Sequence, residues 1–204
     1  CIRDRVELLK FLTIAGVPNG PKIAGFTCSG GGATMLADSA APLELDFVQP
    51  SSHTATTLTQ LLPHTATVTN PLDYTTPIWG DYERTLPVFK CLLKDEYDSA
   101  VLVQDYPAAG LDESKPHYRA DSDSFIKACR IANIPAAICS TLPENLDAET
   151  RSHVLQAGVA PMQGIKTCME AMNAAANYGK RRAVLLANPP HPFRRAEVMG
   201  SRFR

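Results

Sequence analysis

The sequence predicts an α/β fold: a doubly wound parallel sheet with helices on both faces, in three α/β/α layers. Three observations carry this. Strand-like and helix-like stretches alternate through about five repeats between residues 21 and 179, which calls for parallel strands joined by crossover helices. Lys22 to Cys28 is a short apolar run of the kind that is buried on both faces of such a sheet. That run passes directly into Ser29-Gly30-Gly31-Gly32-Ala33 and then into a helical pattern, the order strand, tight turn, helix start.

The elements follow in chain order. Ile2, Val6, Leu9, Phe11 and Leu12 have helical spacing, with Arg3, Asp4 and Glu7 opposite, and Gly16 with Pro18-Asn19-Gly20-Pro21 ends that helix. The helix after the glycines is expected to run to about Ala41, ahead of Pro42. Leu43 to Val48 alternates and reads as a second strand. Thr54 to Leu62 reads as a short helix capped by Thr54 or Ser52 and stopped by Pro63. Asn70-Pro71-Leu72-Asp73 is a turn-rich junction. Asp81 to Lys94 is helical with Leu86, Phe89, Leu92 and Leu93 inward, and Pro87 places a kink in it. Ser99 to Val103 is the best strand of the chain, followed by a polar loop from Gln104 to about Ala120. Asp121 to Asn133 reads as a helix capped by Asp121. Ile134 to Cys139 is a strand, Asp147 to Ala157 a helix ended by Gly158, and Val159 to Met162 a short strand. Gly164 to Tyr178 is an Ala/Met-rich helix ended by Gly179.

Three regions result: residues 1–20, a helix and linker packed on the domain; 21–179, the α/β domain; and 180–204, a basic, proline-rich linker or docking arm. The 204 residues suffice for one domain with arms and a real core. Net charge is −1, from 20 basic and 21 acidic residues, so no strong field points to nucleic acid or an anionic membrane. No apolar run approaches the roughly 20 residues that span a bilayer. The six cysteines contain no Cys-x-x-Cys pair and no Cys/His cluster at zinc spacing. A reduced, cytoplasmic setting and no metal site are the expectation.

The glycine loop is the main functional signal. Glycines let backbone N–H groups approach a ligand closely, and a helix N-terminus carries partial positive charge. Ser29, Gly30, Gly31, Gly32 and Ala33 therefore read as an anion site, most often a phosphate site. The loop has neither the Gly-x-Gly-x-x-Gly spacing nor a Gly-Lys-Ser/Thr ending. In a doubly wound sheet it falls on the carboxyl edge, where ligands bind.

Four blocks in order then resemble the nucleoside-diphosphate-forming acyl-CoA synthetases, relatives of succinyl-CoA synthetase. They are Lys22-Ile-Ala-Gly-Phe-Thr-Cys-Ser-Gly-Gly-Gly-Ala-Thr-Met-Leu-Ala-Asp-Ser; Leu61-Leu-Pro with Val68-Thr-Asn-Pro-Leu-Asp73; Ser99-Ala-Val-Leu-Val; and Ala157-Gly-Val-Ala-Pro161 with the helix after it. The resemblance covers about residues 20–178 and is to the second flavodoxin-like ligase domain of that family. It implies a flavodoxin-like fold and a role in interconverting acyl-CoA, NDP and phosphate with acid, CoA and NTP through a phosphohistidine. In the family two helix N-termini hold that phosphohistidine; Ser29 to Ala33 matches one of them. The resemblance further implies that CoA, ATP or ADP, and Mg serve the complete enzyme. Its partners would be CoA-binding, phosphohistidine and ATP-grasp domains on the same or a neighbouring polypeptide, in an oligomer. No phosphohistidine equivalent is visible in this chain, so no catalytic residue is assigned to it. Asn70 and Asp73 are candidates at the substrate edge. The alternative is a non-catalytic flavodoxin-like module that binds a phosphorylated ligand or a flavin. His53 and His117 lie in loops that could reach the ligand edge, and Cys28 lies near a helix N-terminus that could lower its pKa.

Overall fold

A computed structural model describes residues 2–107, 110 and 113–189, apart from the side chain of Arg3. Its elements are α1 (Ile2–Ile14), β1 (Ile23–Thr27), α2 (Gly30–Ala40), α3 (Ser52–Leu61), β2 (Leu72–Asp73), α4 (Tyr82–Leu92), β3 (Ser99–Val103), α5 (Lys115–Ala132), β4 (Ala136–Cys139), α6 (Ala148–Gln156), β5 (Ala160–Met162) and α7 (Ile165–Ala187). The five strands form one parallel sheet in the order β2-β1-β3-β4-β5.

Every residue of β1 and β3 is buried, and alternate residues serve opposite faces. Ala24, Phe26, Ala100, Leu102 and Ile138 meet α3, α4, α5 and α6 through Leu58, Val88, Phe89, Phe125 and Val154. Ile23, Val101, Val103, Ala137 and Cys139 meet α1, α2 and α7 through Phe11, Leu36, Cys168, Met169 and Met172. Edge-to-face rings fix the first layer, with Phe26–Phe89 centroids 4.9 Å and Tyr74–Phe89 centroids 5.0 Å apart. The three-layer α/β/α fold is therefore the one expected.

Several elements differ from the sequence reading. Leu43 to Val48 is not a strand: Asp46 makes a single bridge to Lys22, through Ile23 N–H to Asp46 O and Asp46 N–H to Pro21 O. Its place beside β1 is filled by the turn-rich junction, of which Leu72–Asp73 is the edge strand. The side chain of Asn70 stands in for the missing strand, accepting from Gly25 N–H at 2.9 Å and donating to Ile23 O at 2.8 Å. Ser51, not Ser52 or Thr54, caps α3. The polar loop after β3 ends sooner than expected, because α5 starts at Lys115 with Pro116 in its first turn; residues 108, 109, 111 and 112 lie outside the described residues. Asp121 is consequently not a cap: it lies inside α5, fully buried.

Gly179 does not stop the last helix, which continues through it to Ala187. A Cβ at Gly179 would lie 2.1 Å from the carbonyl oxygen of Pro18. The glycine thus serves close packing between α7 and the turn after α1, not termination. The helix crosses residue 180, where the arm was expected to begin; residues 190–204 lie outside the described residues. Among the described residues no helix is long and apolar enough to cross a membrane.

Candidate functional site

The chain passes from β1 outward to β2 on one side and from β3 to β4 on the other, so the order reverses between β1 and β3. Ligands of doubly wound sheets bind in the crevice outside the carboxyl ends of the strands at such a point. A cleft of about 360 Å³ lies there, between the end of β1 with the start of α2 (Thr27, Ser29, Gly31) and the ends of β3 and β4 (Gln104, Asp105, Thr141). A larger concavity, about 660 Å³, lies along α7 beside Glu44 and contains none of the expected site residues.

Ser29 caps α2. Its extended backbone stops the strand, and its Oγ accepts the Gly32 N–H at 3.1 Å. Ala33 N–H makes the first helical bond, to Ser29 O. The N–H groups of Gly30 and Gly31 have no acceptor inside the helix, as is general for a first turn, and both residues are exposed. α2 has no acidic residue in its first turn. By contrast Asp81 caps α4 and Asp147 caps α6. Glu7 reaches from α1 to Gln163 N–H at 3.3 Å, just ahead of α7. α2 thus starts from a neutral cap with no carboxylate in its first turn, as α5 does after Ser114; the first turn of α2 lines the cleft through Gly31 and Gly32, where its field favours an anion.

The three glycines are not equivalent. Gly32 is packed: a Cβ there would lie 2.4 Å from the Oγ1 of buried Thr27. A Cβ on Gly31 would meet nothing within 4 Å. One on Gly30 would sit 3.7 Å from Asp73 Oδ2. Asp73 is therefore at the rim, while its Oδ1 accepts from Thr75 N–H at 2.9 Å. Asn70 is elsewhere. It is buried beside the middle of β1, and its Nδ2 also donates to Val48 O at 2.9 Å, so its side chain is committed to the backbone.

The sequence reading missed Gln104, Asp105, Thr141 and Tyr118 as cleft residues. The signal available was their position just after strands or inside the long loop. Asp105 ties the ends of β3 and β4 together, its Oδ1 accepting from Thr141 N–H and Oγ1, both at 2.8 Å, and from Asn145 Nδ2 at 3.0 Å. Thr75 holds φ 66°, ψ 151°, a region costing a β-branched residue on the order of 1–3 kcal/mol, and its Oγ1 is buried without a partner. That strain sits at the carboxyl edge beside Asp73.

The cysteine and histidine expectations change. The Cys28 thiol is pushed up to about 11 by burial and by Asp121, Asp73 and Asp105, so the helix terminus does not activate it. His53 is exposed on α3. His117 packs on the Trp79 ring, centroids 5.3 Å apart, outside the cleft lining. His153 pairs with Asp123 at 2.6 Å. Among the described residues no three His, Cys, Asp or Glu side chains converge as a metal site.

Asp121 is the perturbed carboxyl group behind the cleft. Fully buried, it is raised from 3.8 to about 6 by burial, opposed by hydrogen bonds from the Tyr74 hydroxyl and Gly80 N–H. A raised native pKa means the folded state holds the proton longer, so this group's stabilisation is complete below about pH 4 and is lost as pH rises through about 6. Compared with Asp121→Asn, the wild type should lose on the order of 3 kcal/mol between about pH 4 and about pH 7. Urea midpoints of both proteins across that range check this; parallel curves would sink it.

Fold and site together define a doubly wound α/β protein with an open, neutrally capped helix N-terminus at its switch point. Solved structures share this architecture. PH0766 from Pyrococcus horikoshii OT3 superposes with a TM-score of 0.72 at 20% identity, over 90% of this chain and 41% of that one. The dinucleotide-forming acetyl-coenzyme A synthetase 1 of Candidatus Korarchaeum cryptofilum, in complex with phosphate and ADP, matches with a TM-score of 0.72 at 17% identity, over 94% of this chain and 40% of that one. Its apo form matches with the same TM-score at 18% identity, over 93% and 40%. No protein-family model and no curated protein matches the sequence. At these identities the likeness is one of fold, the three-layer α/β/α arrangement of a five-stranded parallel sheet. The chain spans about two fifths of the solved chains it matches.

Proposed function

We propose that the chain is one domain or subunit of an NDP-forming acyl-CoA synthetase and that α2 supplies half of a phosphoryl site. The supporting observation is the neutral Ser29 cap, which leaves the Gly30 and Gly31 N–H groups free at the switch-point cleft. The acetyl-coenzyme A synthetase of the same fold is seen with phosphate and ADP. In this reading acid, CoA and NTP exchange with acyl-CoA, NDP and phosphate through a phosphohistidine. That histidine, the CoA site and the ATP-grasp nucleotide site with its Mg²⁺ belong to partner domains. The residues of this chain bind and orient: Gly30 and Gly31 donate to the phosphoryl oxygens, Ser29 holds the first turn, and Gly32 keeps α2 against Thr27. Asp73 and Asp105 make the rest of the rim acidic. A phosphoryl group is therefore held best when it arrives already carried by a partner and positioned on the helix axis, not as free phosphate.

The test is to isolate the native assembly through a tag on this chain and assay release of NDP from NTP. Release that requires both CoA and a carboxylic acid is the expected result. An assembly that contains an ATP-grasp domain and shows no such dependence would refute the proposal.

A further inference from the structure

Behind the cleft wall five side chains with little or no exposure form two adjoining hydrogen-bonded groups: Tyr106, Ser122 and Gln104, and Tyr74 with Asp121. The hydroxyls of Tyr106 and Ser122, in contact with each other, both donate to Gln104 Oε1, at 2.9 and 2.8 Å. Both also lie within reach of the Tyr118 carbonyl, at 3.4 and 3.1 Å. The Gln104 amide lies beside the Tyr74 hydroxyl, and its Nε2 is buried with no hydrogen-bond partner. Tyr74 donates to Asp121 Oδ2 at 2.7 Å, and Asp121 Oδ1 accepts from Gly80 N–H at 2.9 Å.

Donor and acceptor roles fix the direction of these bonds. A carboxylate only accepts, so with Asp121 ionised every hydroxyl points toward Asp121. A proton added to Asp121 must sit on Oδ2, because Gly80 N–H can only donate to Oδ1. Oδ2–H then donates to the Tyr74 oxygen, and the Tyr74 hydrogen needs a new acceptor. The group that faces it is the Gln104 amide, which presents NH₂. Turning that amide by a half-rotation brings Oε1 to Tyr74 and Nε2 to Tyr106 and Ser122. Their hydroxyls swing to the Tyr118 carbonyl, already in range. Both states close without a stranded hydroxyl, and a stranded buried donor is what such sites avoid.

We propose that Asp121, Tyr74 and Gln104 form a hydrogen-bond relay that reverses when Asp121 takes a proton from solvent, turning the Gln104 amide at the wall of the switch-point cleft. One proton is gained and nothing else is exchanged. The groups facing Asp121 are Tyr74 and Gly80 after β2, Asp81 at the head of α4, Cys28 after β1 and His117 on α5. Burial and Asp81 favour the proton; His117 and the two hydrogen bonds favour the carboxylate. The relay is independent of what the cleft holds.

Nuclear magnetic resonance on the isotopically labelled chain tests it between about pH 5 and about pH 8. The expected result is that the Asp121 carboxyl carbon and the Gln104 side-chain NH₂ signals shift with one shared midpoint. In Tyr74→Phe, Asp121 should still titrate and Gln104 should no longer follow. In Asp121→Asn the Gln104 signals should rest at the wild-type low-pH position at every pH. Gln104 signals that stay still while wild-type Asp121 titrates would overturn the relay, as would Gln104 still following in Tyr74→Phe. An Asp121 that does not titrate in this range also overturns it. The wild-type measurement decides the matter alone should the Tyr74 variant fail to fold.

Discussion

On the proposed function, Gly31→Leu in the assembled enzyme is expected to lower phosphoryl transfer by about 10²-fold, because the added side chain displaces the phosphoryl group from the N–H donors, and a misplacement of about 1 Å costs that much. The fold should survive, because a Cβ at Gly31 meets nothing within 4 Å and the residue is exposed in the first turn of α2. Leucine is also a better helix former than glycine, so the urea midpoint should hold or rise. The added side chain would stand at the cleft, beside the N–H groups proposed to face the phosphoryl oxygens. Gly32 is unsuitable for this experiment: a Cβ 2.4 Å from Thr27 Oγ1 disturbs packing before it disturbs chemistry. Rates of NTP-dependent acyl-CoA formation, measured beside urea curves, give the answer. Full activity in a folded Gly31→Leu enzyme would exclude the α2 terminus from the reaction.

Asn70→Ala is expected to cost about 3 kcal/mol or more in urea unfolding, with little remaining folded protein if the domain is marginal. The substitution strands two buried groups of β1, the Gly25 N–H and the Ile23 carbonyl, at about 1–3 kcal/mol each. Val48 O keeps the Tyr97 hydroxyl as a donor at 3.0 Å, so it adds less. Gln49 holds the Asn70 backbone on both sides, accepting from its N–H at 3.0 Å and donating to its carbonyl at 2.7 Å. The whole junction is thus a pinned edge of the sheet. A cost under about 1 kcal/mol would show that water replaces these bonds freely. Activity in the Asn70 variant should follow the folded fraction, unlike Gly31→Leu.

These two residues show where sequence was informative. Asn70 and Asp73 stand in one four-residue block, and both were candidates for the substrate edge. Only Asp73 is at the rim, because a β-strand advances more than 3 Å per residue and three residues separate mid-strand from strand end. Asn70 faces the middle of β1, where an unpaired ladder needed closing. Asp121 looked like a helix cap because it precedes an apolar pattern. The helix begins six residues earlier, and the cap-like aspartate is instead a buried acceptor for Tyr74. Gly179 looked like a helix stop, and close approach to Pro18 O explains it.

The sequence by itself determined the sheet class, the helices, the strands other than the edge strand Leu72–Asp73, and the glycine loop at a strand-to-helix turn. Those features are local: apolar runs, periodicity and glycine next to glycine act over a few residues and survive without knowledge of neighbours. Only the tertiary structure decided that β1 and β3 flank the point where strand order reverses, bringing Ser29 to Gly31 against Gln104, Asp105 and Thr141 across more than 70 positions of chain. It also decided that Asp81 and Asp147 close the N-termini of α4 and α6 while Ser29 leaves that of α2 neutral at the cleft, and that Asp121 is buried against Tyr74. Charge, burial and hydrogen-bond partners depend on distance in space, which composition and spacing along the chain do not contain.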